Sequence, residues 1–177
     1  MSIDGITFRE ATVADCEEVA RVHVLAWQGS FRGVVPQAFL DRMSAVQRAE
    51  AFSEGFSAPF YRMYVAEAAD RGIIGFADFG EPRGEIEGYD GELYSIYILP
   101  EFQRRGIGQK LVELGAQFLL ANGRRSMYLL TLEASPYRRF YDKLGGHVVR
   151  QKQIHIDGLA YTELIYGWPE IAGLFVG

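Results

Sequence analysis

Hydrophobic and polar positions change period several times along this chain. "GITFRE" reads as a short opening strand. Cys16, Val19, Ala20, His23 and Trp27 then recur at helical spacing. Thr12 suits the N-cap of that helix, with Asp15 as the acidic partner of a capping box, and Gly29 and Gly33 interrupt it near "WQGSFRG". Pro36 suits a first helical turn and predicts a second helix through "QAFLDRMSAVQRAEAFSEGF". After it "FYRMYVAEA" and "GIIGFADFGE" read as strands joined by a "DRG" turn, and "EPRGEIEGYDG" as an exposed loop.

"ELYSIYIL", rich in aromatic and β-branched residues, predicts the next strand. A helix follows with Ile107, Leu111, Leu114 and Phe118 on one face, stopped by Asn122 and Gly123. "SMYLLTLEA" is a strand and "SPYRRFYDKLGG" a short helix, with Ser135 as cap and Pro136 at its first position. "HVVRQKQIHI" and "LAYTELIYGW" form a final hairpin through Asp157-Gly158. The order β-α-α-β-β-β-α-β-α-β-β predicts an α/β (α+β) fold with a mixed, mostly antiparallel sheet flanked by helices, not a series of βαβ units.

Composition narrows the class. At 177 residues, with no repeat or linker, the chain fits a single domain over 1–177. Its net charge of −5 disfavours broad binding to nucleic acid. Cys16 is the single cysteine, so an intramolecular disulfide and a cysteine-rich zinc site are excluded. His147 and His155 lie in the last hairpin without a ligand-spaced partner, so no metal is expected, and His23 reads as a hydrogen-bonded core histidine. No signal peptide and no apolar run near the ~20 residues of a membrane span are present. A cytoplasmic protein with no membrane association is expected.

The segment "PEFQRRGIGQKLV", between a strand and a helix, carries the chemistry. A P-loop is excluded, because its glycine spacing and Gly-Lys-Ser/Thr ending are missing. Gly106-Ile-Gly108 also fits a dinucleotide fingerprint poorly, since Pro100 to Arg105 separate it from the strand and antiparallel hairpins precede it. Two readings remain: a plain turn, or a pyrophosphate held by backbone N–H groups at the helix start. Glycine at 106 and 108 would let the backbone approach an anion, with Arg104 and Arg105 adding charge.

"Gln103-Arg-Arg-Gly106-Ile-Gly108", followed in order by "RRFYDKLGG" at 138–146, resembles the acetyl-CoA signature of the GCN5-related N-acetyltransferases. The resemblance spans most of the chain. It implies acetyl-CoA as co-substrate, held at Gln103, Arg104, Arg105, Gly106, Ile107, Gly108, Gln109 and Lys110. Ile96, Tyr97 and Ile98 would hold the cofactor arm through backbone groups, on a strand splayed from its neighbour. Tyr141 matches the family's usual acid, although Tyr137, Phe140, Tyr141 and Leu144 also form a core-like stripe. Glu92 resembles the general base of histone-modifying members; a solvated strand-end glutamate is the alternative, and Glu133 a substitute base. Where members often carry asparagine this chain has Ala134, a departure that Ser135 would partly offset.

The resemblance implies direct attack of a primary amine, in a small molecule or peptide, on the thioester. A catalytically silent acyl-CoA-binding module and an O-acylating enzyme are the alternatives. The acceptor would be shaped by residues 27 to 36, where Trp27 and Phe31 either line a pocket or pack the first helix, by loop 81 to 91 and by the turn near Gly158. The apolar tail "IAGLFVG" is expected to bury against its own sheet or a partner, which allows a homodimer.

Overall fold

The middle strands of the sheet are buried on both faces, because each face carries its own core. The computed structural model describes residues 2, 3 and 5–175. In β3 (Tyr61–Ala68), alternation is unbroken: Met63 and Val65 face one side, Ala66 and Ala68 the other. The phase changes in β4 (Gly72–Gly80), where Ile74 is the extra residue at the register shift against Ala66/Glu67. Such a bulge reverses which residues point inward. β4 therefore presents Ile73 and Phe76 to one core, and Ile74, Ala77 and Phe79 to another.

The first core is closed by α1 (Cys16–Ser30) and α3 (Ala45–Gly55), the second by α4 (Ile107–Ala121). A bond from the Thr12 N–H to Asp15 Oδ2 (2.8 Å) closes the expected capping box on a 3₁₀ turn that runs into α1. The long second helix is instead two helices, α2 (Gln37–Asp41) and α3. Ser44 divides them: its backbone is extended and its hydroxyl accepts from the Gln47 N–H at 3.3 Å, as an N-cap does. The buried stripe of α4 runs Ile107, Leu111, Val112, Gly115, Ala116 and Leu119, so Leu114 and Phe118 lie at its margin rather than its centre.

With β1 (Ser2–Ile3), β2 (Ile6–Glu10), β5 (Glu92–Ile98), β6 (Met127–Leu132), β7 (His147–Ile156) and β8 (Leu159–Trp168), the sheet has the order β1-β2-β3-β4-β5-β6-β8-β7. Every neighbouring pair is antiparallel except β5 and β6. The short helix α5 (Arg138–Lys143) begins after Ser135 and Pro136, which form the turn leading into it. Asp157 (φ 52°) and Gly158 (φ 81°) make the left-handed turn of the last hairpin. Ile171 of the tail is fully buried, its N–H bonded to Arg125 O (2.9 Å), and Leu174 packs on the core holding α4. The last residues of the tail, 176 and 177, lie outside the described residues. No helix among the described residues is long and apolar enough to cross a membrane.

Candidate active site

The parallel strands β5 and β6 meet at one residue pair, Glu92 and Tyr128, and then part. Beyond it β5 pairs only with β4, and β6 only with β8. The peptide groups of β5 that face β6 thus border a wedge instead of a neighbouring strand. A cavity of about 130 Å³ fills the wedge, walled by Leu93 to Tyr97 on one side and Leu129 to Leu132 on the other. Ser135, Tyr137, Tyr141, Trp27, Phe31, Ile154 and Ile156 complete the lining. Of the expected arm-binding residues, Ile96 and Tyr97 line the cavity, while Ile98 packs against α4 beside Gly108.

The glycine-arginine turn leads from the end of β5 into α4. Arg104 (φ 60°) and Gly106 (φ 82°) are left-handed, and Gly106 is the N-cap of α4. The first N–H groups of such a helix have no acceptor within it and carry its positive end. Arg104 and Arg105 are exposed; Arg105 donates to Glu101 O (3.1 Å) and lies over the Phe102 ring. Lys110 pairs with Glu113 at 3.1 Å, Gln109 is exposed and Ile107 is buried.

Two members of the turn do something other than expected. A Cβ on Gly108 would lie 3.1 Å from the Phe140 ring and 3.2 Å from Ile98, so this glycine serves packing. Gln103 turns inward, donating to Ile98 O (3.0 Å) and the Tyr137 hydroxyl (3.1 Å), and its N–H bonds Pro100 O (3.3 Å).

Tyr141 is buried against the rings of Phe140, Tyr166 and Trp168 and reaches the cavity wall. Burial pushes its phenol well above the usual range, so it stays protonated. The Ser135 hydroxyl accepts from the Tyr137 N–H at 3.2 Å, and Ala134 is exposed.

Glu92 does not line the cavity. It is fully buried, and both its oxygens are engaged. Oε1 accepts from Arg83 Nε (3.0 Å) and a terminal guanidinium nitrogen (2.7 Å); Oε2 accepts from the Arg83 N–H (2.7 Å) and the Tyr128 hydroxyl (2.8 Å). A carboxylate so saturated fastens the loop after β4 to the root of the wedge; it is not the solvated strand-end glutamate weighed as the alternative to a base. Glu133, the substitute, is exposed and outside the cavity lining.

Loop residues 82–87 and Tyr89 line a separate open groove with Val149 and Arg150, not the wedge. Trp27 and Phe31 both pack and line: their rings stack at 4.4 Å on the cavity wall. Arg42 bonds Asp157 at 2.5 Å, tying the tip of the last hairpin to the end of α2. His23 is buried, but its Nδ1 has no partner, contrary to the hydrogen-bonded state expected. Burial among aromatic rings, then Arg48, lowers it to about 3, so it is neutral.

Sequence reasoning missed Asp78, Ser95 and Tyr137. Asp78 is buried in β4, accepting from the Tyr61 hydroxyl (3.0 Å) and from Ser95 Oγ, and Ser95 is on the cavity wall. Burial pushes the Asp78 carboxyl up to about 6. The signal was available: one charge in the apolar run "GIIGFADFG", in phase with Phe76. Tyr137, half-buried on the cavity wall, joins Gln103 to Ser30 at the end of α1.

Comparison with known proteins agrees with this architecture. The acetyltransferase (GNAT) family model matches residues 21–146. YuaI, an uncharacterised N-acetyltransferase of Bacillus subtilis (strain 168), is 36% identical over 169 residues, covering 96% of each chain. Among solved structures, yncA from Salmonella typhimurium, with its cofactor acetyl-CoA, shares the fold at TM-score 0.69 and 20% identity, over 95% of each chain. The spermidine/spermine N-acetyltransferase SpeG from Vibrio cholerae does so at TM-score 0.64 and 16% identity, over 93% of each chain. With a family model matching well over half of its length and YuaI similar from end to end, this chain belongs to the GNAT family of acetyltransferases.

Proposed function

We propose that this protein transfers the acetyl group of acetyl-CoA to a primary amine by direct attack, the whole chain forming one acyltransferase domain. The observation that carries the reading is the wedge between β5 and β6, with the left-handed Gly106 and the start of α4 near one end and Tyr141 on its wall. The residues present fit the co-substrate. A pyrophosphate would meet the free N–H groups of the α4 start, with Arg104 and Arg105 beside it. At Gly106 (φ 82°) the backbone takes the left-handed turn that aims those groups. The pantetheine arm would run along the unpaired side of β5 at Ile96–Ile98, bringing the thioester into the cavity.

Held there, the thioester carbonyl meets the amine nitrogen: a C–N bond forms and the C–S bond breaks. Fixing the two reactants together supplies much of the rate. The Tyr141 hydroxyl, which burial keeps protonated, donates a hydrogen bond to the departing thiolate, which takes its proton from water as coenzyme A leaves.

The acceptor end favours an amine on a small apolar or aromatic body. Trp27, Phe31, Tyr97, Ile154 and Ile156 line it, and its one acidic side chain, Glu163, is already paired with Lys152 at 3.0 Å. A polycation would find little to bind there.

Calorimetric titration with acetyl-CoA and coenzyme A, followed by thiol release across 2-phenylethylamine, isoamylamine, spermidine and Nα-acetyl-lysine, tests this. Saturable binding with release fastest for the first two amines is expected. Binding without release for any amine would replace the enzyme with an acyl-CoA-binding module, which needs the same turn but not Tyr141.

A further inference from the structure

Two carboxylates are among the buried charged side chains, and their environments differ. Glu92 has the Arg83 guanidinium. Asp78, 4% exposed, is held by two hydroxyls and no cation: Tyr61 donates to Oδ2 at 3.0 Å, Ser95 to Oδ1. A buried carboxylate without a counter-ion is costly to keep. Its position accounts for it. Asp78 and Ser95 are direct cross-strand partners, and the register shift beside them leaves Tyr94 as the extra residue of a bulge. Ser95 thereby stands with its hydroxyl on Asp78 and its residue on the cavity wall.

We propose that Ser95 and Asp78 form the proton exit for amine acylation, Ser95 as the catalytic contact and Asp78 as the residue acting through it. This rests on the acetyltransferase reading above. As the C–N bond forms, the nitrogen becomes positively charged and must lose a proton. That N–H bond breaks as Ser95 Oγ takes the proton. In the same step the Ser95 hydroxyl proton passes to Asp78 Oδ1, so Ser95 carries no net charge and Asp78 ends as a neutral acid. The Tyr61 bond to Oδ2 keeps Oδ1 turned toward Ser95. The proton returns along the same path to water once the amide leaves.

The surroundings suit a base working near neutrality. Burial raises Asp78 to about 6, so it is ionised at pH 7 yet still takes a proton readily. The titratable groups around it are otherwise silent between pH 4 and 8. Burial raises Tyr61 of β3, and Tyr94 and Tyr97 of β5 rise to about 12. Cys16 of α1, which acts on Tyr61, is also raised by burial, and His23 is neutral. Arg83 remains charged and draws Asp78 down slightly.

The test is kcat/KM against pH for the fastest amine of the four-amine panel, with Asp78→Asn, Ser95→Ala and Tyr61→Phe, and acetyl-CoA calorimetry on each. Wild type should show an acid limb near pH 6, separate from the amine's own titration. Asp78→Asn should lose that limb and on the order of 10²-fold in kcat, with acetyl-CoA affinity unchanged. Ser95→Ala should lose roughly tenfold or more, at the lower end of the same range because water can stand in for the hydroxyl. Tyr61→Phe should move the limb upward, since the charged carboxylate loses a donor. Should Asp78→Asn not fold, the other two variants decide. Turnover within threefold of wild type and an unmoved limb would make Asp78 a structural anchor and overturn the proposal. No thiol release from wild type with any amine would instead overturn the acetyltransferase reading, before any variant is compared.

Discussion

The side-chain amide of Gln103 reaches the Tyr137 hydroxyl at 3.1 Å and the Ile98 carbonyl at 3.0 Å, joining the turn before α4 to the wall of the cavity. The same hydroxyl meets Ser30 Oγ at the end of α1. The residue expected to touch pyrophosphate is thus a brace between the start of α4 and the cavity wall. Each of its bonds contributes about 0.5–1.5 kcal/mol. Gln103→Ala should weaken acetyl-CoA binding several-fold by calorimetry and lower kcat as well. Unchanged affinity and turnover would show that the turn holds its shape without the brace.

Tyr141 separates catalysis from packing. Tyr141→Phe keeps the ring contacts with Phe140, Tyr166 and Trp168 and removes only the hydroxyl. Turnover should fall by on the order of 10²-fold while coenzyme A affinity stays as in wild type. Equal loss of affinity and rate would mean that the hydroxyl supports the cofactor site instead.

Glu92 is expected to matter for stability rather than for chemistry. Glu92→Gln leaves Arg83 without its carboxylate and weakens the bond from Tyr128. Hydrogen bonds to charged groups contribute about 1.5–3 kcal/mol, and urea denaturation should show a loss of that order. Turnover per folded molecule should stay within a few-fold. A collapse of turnover at undiminished stability would return Glu92 to the role of base.

The two glycines of the turn should fail differently. Gly108→Ala drives a methyl group toward Phe140 and Ile98 and should cost about 1–3 kcal/mol of stability. Gly106→Ala meets only an ordinary contact with Ile3 but forces a side chain into the left-handed region, at about 1–2 kcal/mol. Its larger effect should be on acetyl-CoA affinity, because that residue sets the direction of the first N–H groups of α4. Calorimetry and denaturation on both variants separate the two.

At the other end of the molecule, Arg9 holds Asp15 down to about 2, from an ordinary 3.8, through hydrogen bonds of 2.8 and 2.9 Å. A carboxylate whose folded pKa lies below its unfolded one adds stability that is complete above the unfolded value. That contribution fades as pH falls from about 4 toward 2. Arg9 is 35% exposed in its side chain, so solvent screening limits the pair to about 1 kcal/mol. Asp15→Asn should lower stability at pH 7 by that amount, with the difference shrinking as pH falls through about 2. A difference that does not shrink would mean that the capping geometry, not the charge, carries the effect.

What the sequence determined by itself is local and periodic. Alternation in "FYRMYVAEA", helical spacing from Cys16 to Trp27 and the turn chemistry of Asp157-Gly158 each dictate an element without reference to the rest of the chain. The signature turn before α4 was legible for the same reason, since its glycines and arginines are contiguous. The break at Ser44 was not read, because the apolar pattern on either side of it masked the boundary.

What the tertiary structure decided are relationships across strands. Nothing near Glu92 in sequence says whether a strand-end glutamate is solvated, catalytic or pinned; the answer lies in where the loop folds Arg83 back onto it. Asp78 stands out as a charge in an apolar strand, yet its partners, Tyr61 and Ser95, are each 17 residues away on neighbouring strands. Which residues face one another there depends on the register of β4 against β3 and β5, and a single bulge shifts it. The wedge itself is of this kind: β5 pairs along its length with β4 and β6 with β8, while the two share one residue pair, an arrangement set by the whole sheet.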